Sequence, residues 1–286
     1  MKRFSLLIVL VVAVAGSAMA GGKVLVKSLK SSILGVEKSY SIYLPEDYDK
    51  GDERYPVLYL LHGAKGTHNS WVRGEQPRIT DEEIAAGRAK KMIVVMPDAR
   101  GIGEKSAGKN MGYFNVPDWP YEDFFFQEFL PTVEAKYRVV GDKEHRAVMG
   151  LSMGGGGSTV YCQRHPDMFS SCYAMSAWLD NESNNVGPSD QKDKRYYVTE
   201  AVKEHSALRF VEQADDATKA KLRTVKWFFD CGDDDFLFDQ SVKLHQLMRG
   251  AWIHDELRIR NGVHNWEYWH QALRMALPFA SRNFGK

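Results

Sequence analysis

Cysteine is scarce in this chain: there are three in 286 residues, Cys162, Cys172 and Cys231. An odd count allows at most one internal disulfide, which excludes a disulfide-stapled scaffold, and the apolar or helical stretch around each favours buried small hydrophobes. An excess of one charge is also missing, since 38 basic residues face 37 acidic ones and no Lys/Arg block occurs. The chain therefore has no electrostatic footprint for nucleic acid. Beyond the first twenty residues no long apolar run suggests a membrane span, and there is neither an internal repeat nor a linker that would separate two folded domains. A single α/β domain of residues 21–286, with a small or uncharged partner, is the expectation.

The first twenty residues read as a signal peptide, residues 1–20. Lys2 and Arg3 precede an apolar run over 4–15, which ends in Gly16-Ser17-Ala18-Met19-Ala20. The run is shorter than the roughly 20 apolar residues of a bilayer span, and small residues occupy the Ala18 and Ala20 positions that suit cleavage. Export to the periplasm or the medium is expected, with no stable membrane span after cleavage. Loss of Lys2 and Arg3 leaves the basic residues one short of the 37 acidic ones.

Residues 23–29 and 39–44, rich in Val, Leu, Ile and Tyr and separated by a segment holding Gly35, predict an antiparallel hairpin. From Tyr55 onward, short apolar runs alternate with longer helical stretches. The runs are 56–61, 92–96, 146–151, 170–175, 225–229 and 256–259, and the helices are expected over 81–89, 121–137, 154–164, 238–249 and 266–284. Such runs fit strands buried on both faces, so the pattern predicts an α/β fold with a mostly parallel central sheet and helices on both sides. In 121–137 the stripe Phe124, Phe125, Phe129, Val133 and Tyr137 is assigned to core packing, and Pro131 should kink or divide the helix. Residues 99–119 and 181–193 break the alternation and read as loops, where substrate contacts are expected; a helical segment over 195–204 and a charged stretch over 212–223 follow.

Chemistry concentrates first at Gly150-Leu151-Ser152-Met153-Gly154, between a predicted strand and a predicted helix. A serine on a sharp strand-to-helix turn projects its hydroxyl above the sheet edge, and small flanking residues permit that turn. The helix N-terminus beside it favours developing negative charge. Such a serine needs a base. Of nine histidines, His264 follows Gly262-Val263 just beyond the last predicted strand, where a loop can return to the sheet edge. His270 sits within the final helix and reads as a packed or surface residue, and His62-Gly63-Ala64 reads as a turn for backbone donors. An orienting acid is expected after the run 225–229, in Asp230-Cys231-Gly232-Asp233-Asp234-Asp235. Three consecutive aspartates could also suggest calcium, but calcium loops space their ligands at alternate positions. The order Ser152, Asp235, His264 is that of the α/β-hydrolase architecture.

These residues resemble the esterase D family, which includes carbohydrate esterase family one feruloyl and acetyl-xylan esterases, S-formylglutathione hydrolases and mycolyltransferases. The matching pieces are Leu61-His62-Gly63 with Trp71 downstream, Tyr121-Glu122-Asp123, Gly150-Leu151-Ser152-Met153-Gly154-Gly155, Cys231-Gly232 with Asp235-Phe236-Leu237, and His264-Asn265-Trp266. They cover nearly all of the chain after the signal. The resemblance implies an α/β-hydrolase fold, Ser152 as nucleophile, Asp235 as acid, His264 as base, and oxyanion donors at the backbone N–H groups of Ala64 and Met153. No metal or organic cofactor is implied. Lys65 stands where many relatives have a small residue, and Asn265 where aspartate is commoner, which leaves pocket shape and substrate open, while the adjacent Asp233 and Asp234 leave open the choice of acid.

The expected activity is release of feruloyl or acetyl groups from plant cell-wall polysaccharide, feruloyl ahead, with Trp178 and Trp266 as candidate substrate contacts and Tyr113 and Trp119 as further aromatics in the irregular stretch 99–119. An acyltransferase would use the same three residues with an acceptor alcohol in place of water. A non-catalytic carbohydrate-binding protein would normally have lost one of them. The signal peptide disfavours a cytosolic glutathione thioesterase.

Overall fold

The computed structural model describes residues 21–103, 109, 111–181, 190 and 192–285. The expected signal peptide lies outside the described residues, as does most of the predicted loop 181–193.

Ten strands are present among these residues: β1 (Lys23–Lys30), β2 (Glu37–Leu44), β3 (Val57–Leu61), β4 (Ile93–Pro97), β5 (Asn115–Val116), β6 (Trp119–Pro120), β7 (Arg146–Leu151), β8 (Ser171–Met175), β9 (Lys226–Gly232) and β10 (Asp255–Arg260). Eight form one sheet in the order β1-β2-β4-β3-β7-β8-β9-β10, and β5 and β6 form a separate two-residue ribbon. β1 and β2 make the antiparallel hairpin, β2 joins β4 antiparallel, and every later pairing is parallel. The α/β-hydrolase expectation holds.

Burial explains why these runs are strands. Residues of β3 alternate faces, as the period of two requires. Val57, Tyr59 and Leu61 enter one core with Phe125, Phe129 and Tyr161, and Leu58 and Leu60 enter the other with Trp71, Leu273 and Leu277. Both faces are covered, so the strands read as unbroken apolar runs rather than alternating ones.

Helix boundaries differ where local chemistry overrides the pattern. The helix expected over 81–89 runs instead over Gln76–Ala85, because Pro77 is preorganised for a first helical turn and starts the helix early. Around Pro131 the chain stays helical through Tyr121–Asp123, a π-helical segment Phe124–Phe129 and Leu130–Lys136. Proline lacks the N–H that would continue the ladder, and the widened turn ahead of it absorbs the defect. The charged stretch 212–223 holds the end of one short helix, Ala207–Gln213, and all of a second, Asp216–Leu222, each capped by a side chain, Ser206 on the Arg209 N–H and Asp215 on the Thr218 N–H. All three cysteines are free and buried.

The topology decides where a site can form. From β3 the chain moves to β4 on one side, and later returns to β7 on the other. That reversal opens a crevice at the carboxyl ends of β3 and β7, the usual ligand position in open α/β sheets.

Candidate active site

Ser152 directly follows β7 and caps the helix Met153–Arg164, with φ 54° and ψ −119°. A non-glycine residue with positive φ is uncommon, and here the surroundings impose it. The Ser152 N–H donates to the Met175 carbonyl at 2.9 Å, while its own carbonyl accepts from Gly156 and Trp178 N–H groups at 3.0 Å each. Two flanking glycines allow the turn to close. A Cβ on Gly150 would lie 2.4 Å from the Gly154 carbonyl oxygen, and one on Gly154 would lie 2.4 Å from that of Leu61 and 2.6 Å from that of His62.

His264 follows β10, and its Nε2 lies 3.0 Å from Ser152 Oγ. Its Nδ1 lies 3.0 and 2.9 Å from the two Asp235 carboxylate oxygens. Since a carboxylate only accepts, Nδ1 carries the proton and Nε2 offers a lone pair to the serine hydroxyl. The Asp235 side chain is fully buried. Burial alone would raise its pKa; the His264 ring, the Leu237 N–H and the Ser176 hydroxyl outweigh that and hold it below its ordinary value.

The neighbouring aspartates are placed differently. Asp233 accepts from the Gly262 N–H at 2.9 Å, which ties the β9 loop to the loop carrying His264, and Asp234 donates its own N–H to the Gly262 carbonyl at 3.1 Å. Of the three consecutive acids, Asp235 is the one against the imidazole.

The amides expected to hold an oxyanion are those of Met153, next to the serine, and Ala64, in the cavity wall. Met153 is the first residue of its helix, so its N–H has no intrahelical acceptor. The Ala64 N–H belongs to the same peptide plane as the Gly63 carbonyl, and a trans peptide points the two in opposite directions. The Gly63 carbonyl is held by the Gly66 N–H at 3.0 Å and by His62 Nδ1 at 2.8 Å. His62 Nε2 meanwhile accepts from the Ala99 N–H at 3.0 Å. Burial pushes the His62 pKa down to about 4, so the ring is neutral with its proton on Nδ1. This histidine, read as part of a turn, thus orients the Ala64 amide.

A cavity of about 800 Å³ opens onto Ser152 and His264, walled by Ala64, Lys65, Arg73, Phe236, Trp266 and Trp269 among others. Trp266 lies where a substrate contact was expected. Trp178 does not: its side chain is buried in the core, away from the cavity lining, and its contribution is the backbone N–H that holds Ser152. Tyr113 and Trp119 are likewise core residues, Tyr113 donating its hydroxyl to the His62 carbonyl at 2.9 Å. Phe236, 59% exposed, lies 4.6 Å from the His264 ring. Arg73, Trp269 and Ser176 gave no signal in the sequence, because each reaches the site only through the packing of its own helix or strand end. Asn265 caps the last helix by accepting from the Tyr268 N–H at 3.0 Å, a role that asparagine and aspartate share.

The Esterase family model, described as "Putative esterase", matches residues 31–280. The chain belongs to the Esterase family. A solved ferulic acid esterase is similar over 93% of this chain and 99% of its own, at 46% identity and a TM-score of 0.87. The endo-1,4-beta-xylanase/feruloyl esterase of Xylanibacter ruminicola is 37% identical over 144 residues, 49% of this chain but 19% of that protein. The chain thus spans well under two thirds of that relative. A ferulic acid esterase of Anaeromyces mucronatus, solved in complex with ferulic acid, shares the fold at 20% identity, a TM-score of 0.68 and 92% of each chain.

Proposed function

We propose that this Esterase family member is an exported serine carboxylic-ester hydrolase that releases feruloyl groups, and secondarily acetyl groups, from plant cell-wall polysaccharide. The observation that carries the reading is the continuous line from Ser152 Oγ through His264 to the buried Asp235, with Ser152 and His264 lining the cavity. As Ser152 attacks the ester carbonyl, His264 Nε2 takes its proton and Asp235 stabilises the resulting imidazolium. The Ala64 and Met153 N–H groups hold the oxyanion. The imidazolium then protonates the departing sugar hydroxyl, and the neutral ring activates the water that frees the acid.

Supporting the feruloyl preference are the named activities of the two similar esterases and the aromatic wall of Trp266, Trp269 and Phe236, which suits a planar acyl group. The test is catalytic efficiency on methyl ferulate, a feruloylated arabino-oligosaccharide, acetylated xylan and S-formylglutathione, with Ser152→Ala as control. Turnover of the ferulates at least tenfold above the thioester is expected, and none by Ser152→Ala. A preference for the thioester overturns the substrate, and undiminished turnover by Ser152→Ala overturns the nucleophile. Export is tested by the N-terminal sequence of protein recovered outside the cytoplasm, with cleavage expected after Ala20.

A further inference from the structure

At the end of the parallel strands away from Ser152 lies Trp252, which at 85% exposure is the most exposed large apolar side chain among the described residues. Its position makes that exposure informative. The helix Phe238–Gly250 ends with Ala251 as C-cap, the Trp252 N–H donating to the Arg249 carbonyl at 3.1 Å and the Ile253 N–H to the Met248 carbonyl at 2.9 Å. This is the Schellman arrangement, and it puts Trp252, with φ 57°, at the left-handed position that glycine usually fills. Arg223 locks the turn by donating Nε to the Trp252 carbonyl at 3.0 Å and Nη2 to that of Ala251 at 2.9 Å. A bulky indole thus occupies a capping position that glycine would fill without strain, and it is presented to water, so packing does not explain a tryptophan here.

Beside the indole is a second cavity of about 800 Å³, walled by His245, Gln246, Arg249, His254 and Asp255. The Asp255 side chain is 1% exposed. One of its carboxylate oxygens accepts from His245 Nδ1 at 2.8 Å, while the other is buried with no hydrogen-bond partner among the described residues. Buried acceptors are normally satisfied, so this one calls for a donor from outside the chain. A protein partner would want several exposed apolar neighbours around an anchoring tryptophan; here the apolar Ile253 is itself 1% exposed and is joined in the cavity wall by His245, Gln246, Arg249, His254 and Asp255. One flat apolar face ringed by hydrogen-bonding groups matches a pyranose ring, whose axial C–H face stacks on an indole while its hydroxyls bond at the edge.

We propose that Trp252 and this cavity form a second carbohydrate-binding site, taking an uncharged pyranose chain and remote from the ester-cleaving pocket. Asp255 begins β10, whereas His264 follows its far end, so the two lie at opposite ends of a strand roughly 17 Å long. Such a site would hold the polymer while Ser152 works along it.

The experiment uses the Ser152→Ala chain, which keeps binding independent of turnover, in native gels cast with soluble arabinoxylan. Retardation to at most half the polysaccharide-free mobility is expected. Trp252→Gly in the same background should abolish it without lowering Tm, because glycine suits the left-handed position, and Trp252→Tyr should keep part of it. In the otherwise native chain Trp252→Gly should hydrolyse methyl ferulate within twofold of the parent. No retardation of the parent, equal retardation without Trp252, or loss of methyl ferulate turnover in Trp252→Gly would each overturn the proposal. Failure of the esterase reading would look different, as absent turnover with the Trp252-dependent retardation intact.

Discussion

The two halves of the site are built by different means. On the β3/β7 side, Ser152 is held by backbone, through a strained turn, glycines pressed against carbonyl oxygens and backbone hydrogen bonds, and Ala64 by a backbone bond together with the His62 ring. On the β9/β10 side, Gly232 also lies close to the Gly262 backbone, but the loops rest largely on side chains. Asp233 holds Gly262, and the fully buried Asp230 accepts from Tyr173 and Tyr268 hydroxyls at 2.5 Å each and from Arg260 at 3.0 Å. The difference teaches where each half should break. Backbone-built parts fail when atoms are added, and side-chain-built parts fail when hydrogen-bonding atoms are removed or exchanged.

The largest contrast lies within the side-chain half. Asp235→Asn leaves the shape of the acid intact but lets the amide favour the wrong imidazole tautomer, and kcat should fall by about 10⁴. Asp233→Asn keeps an oxygen for the Gly262 N–H and should cost less than about tenfold. Steady-state kinetics on methyl ferulate decide this; an Asp233→Asn defect greater than that of Asp235→Asn would move the acid.

The backbone half is broken by one methyl group. In Gly154→Ala the new Cβ meets the Leu61 and His62 carbonyl oxygens at 2.4 and 2.6 Å, and rigid strand ends cannot yield as a side chain could. A loss of about 3 kcal/mol of stability or more is expected, at the upper end of overpacking costs, together with loss of turnover. Urea unfolding measures it. A variant of native stability would show that the turn is looser than its contacts imply.

This contrast also explains what could be read from the sequence. Gly-x-Ser-x-Gly was legible because a backbone-built turn demands glycine at fixed offsets, and the five buried strands β3, β4, β7, β8 and β9 because runs such as 56–61 admit no polar face, whereas the run 256–259 forms the half-exposed edge strand β10. Asp235 stood among equivalent neighbours, since the identity of an acid does not reveal which way its loop directs it. Trp178 misled for a related reason: it follows a strand end in the right region, yet its ring turns into the core while its N–H serves the site. The roles of His62 and Ser176 depend on partners distant in the chain, Ala99 for the first and Asp235 and Trp269 for the second, and no local pattern announces them.

His62 links the halves to pH. Its folded pKa of about 4 lies below the 6.5 of an exposed histidine, so between those values the unfolded chain binds a proton that the folded chain refuses. Its contribution is therefore complete above about 6.5 and declines as pH falls toward 4, amounting to about 3 kcal/mol across the window. His62→Asn should lower stability at neutral pH and flatten the slope of stability against pH between 6.5 and 4. Parallel wild-type and variant curves would show that other groups carry the dependence. The variant's kcat should also fall by up to about 10², less than the full loss of an oxyanion donor, because the Ala64 amide would be misdirected rather than removed.

The smallest effect is expected at Ser176, where the two building methods meet. Ser176 is buried with φ 45°, and its N–H donates to the Asp230 carbonyl at 2.7 Å. Its hydroxyl accepts from Trp269 Nε1 at 3.0 Å and helps hold the Asp235 carboxylate in its charged form. Ser176→Ala keeps the backbone contact and removes both side-chain ones, leaving the indole N–H without its acceptor. One such bond contributes about 1 kcal/mol, so kcat should fall roughly fivefold and Tm by a few degrees. KM for methyl ferulate should hold steady, since the hydroxyl bears on the acid rather than on the cavity wall. A rise in KM at constant kcat would instead place the action of Ser176 in the pocket, through a displaced Trp269.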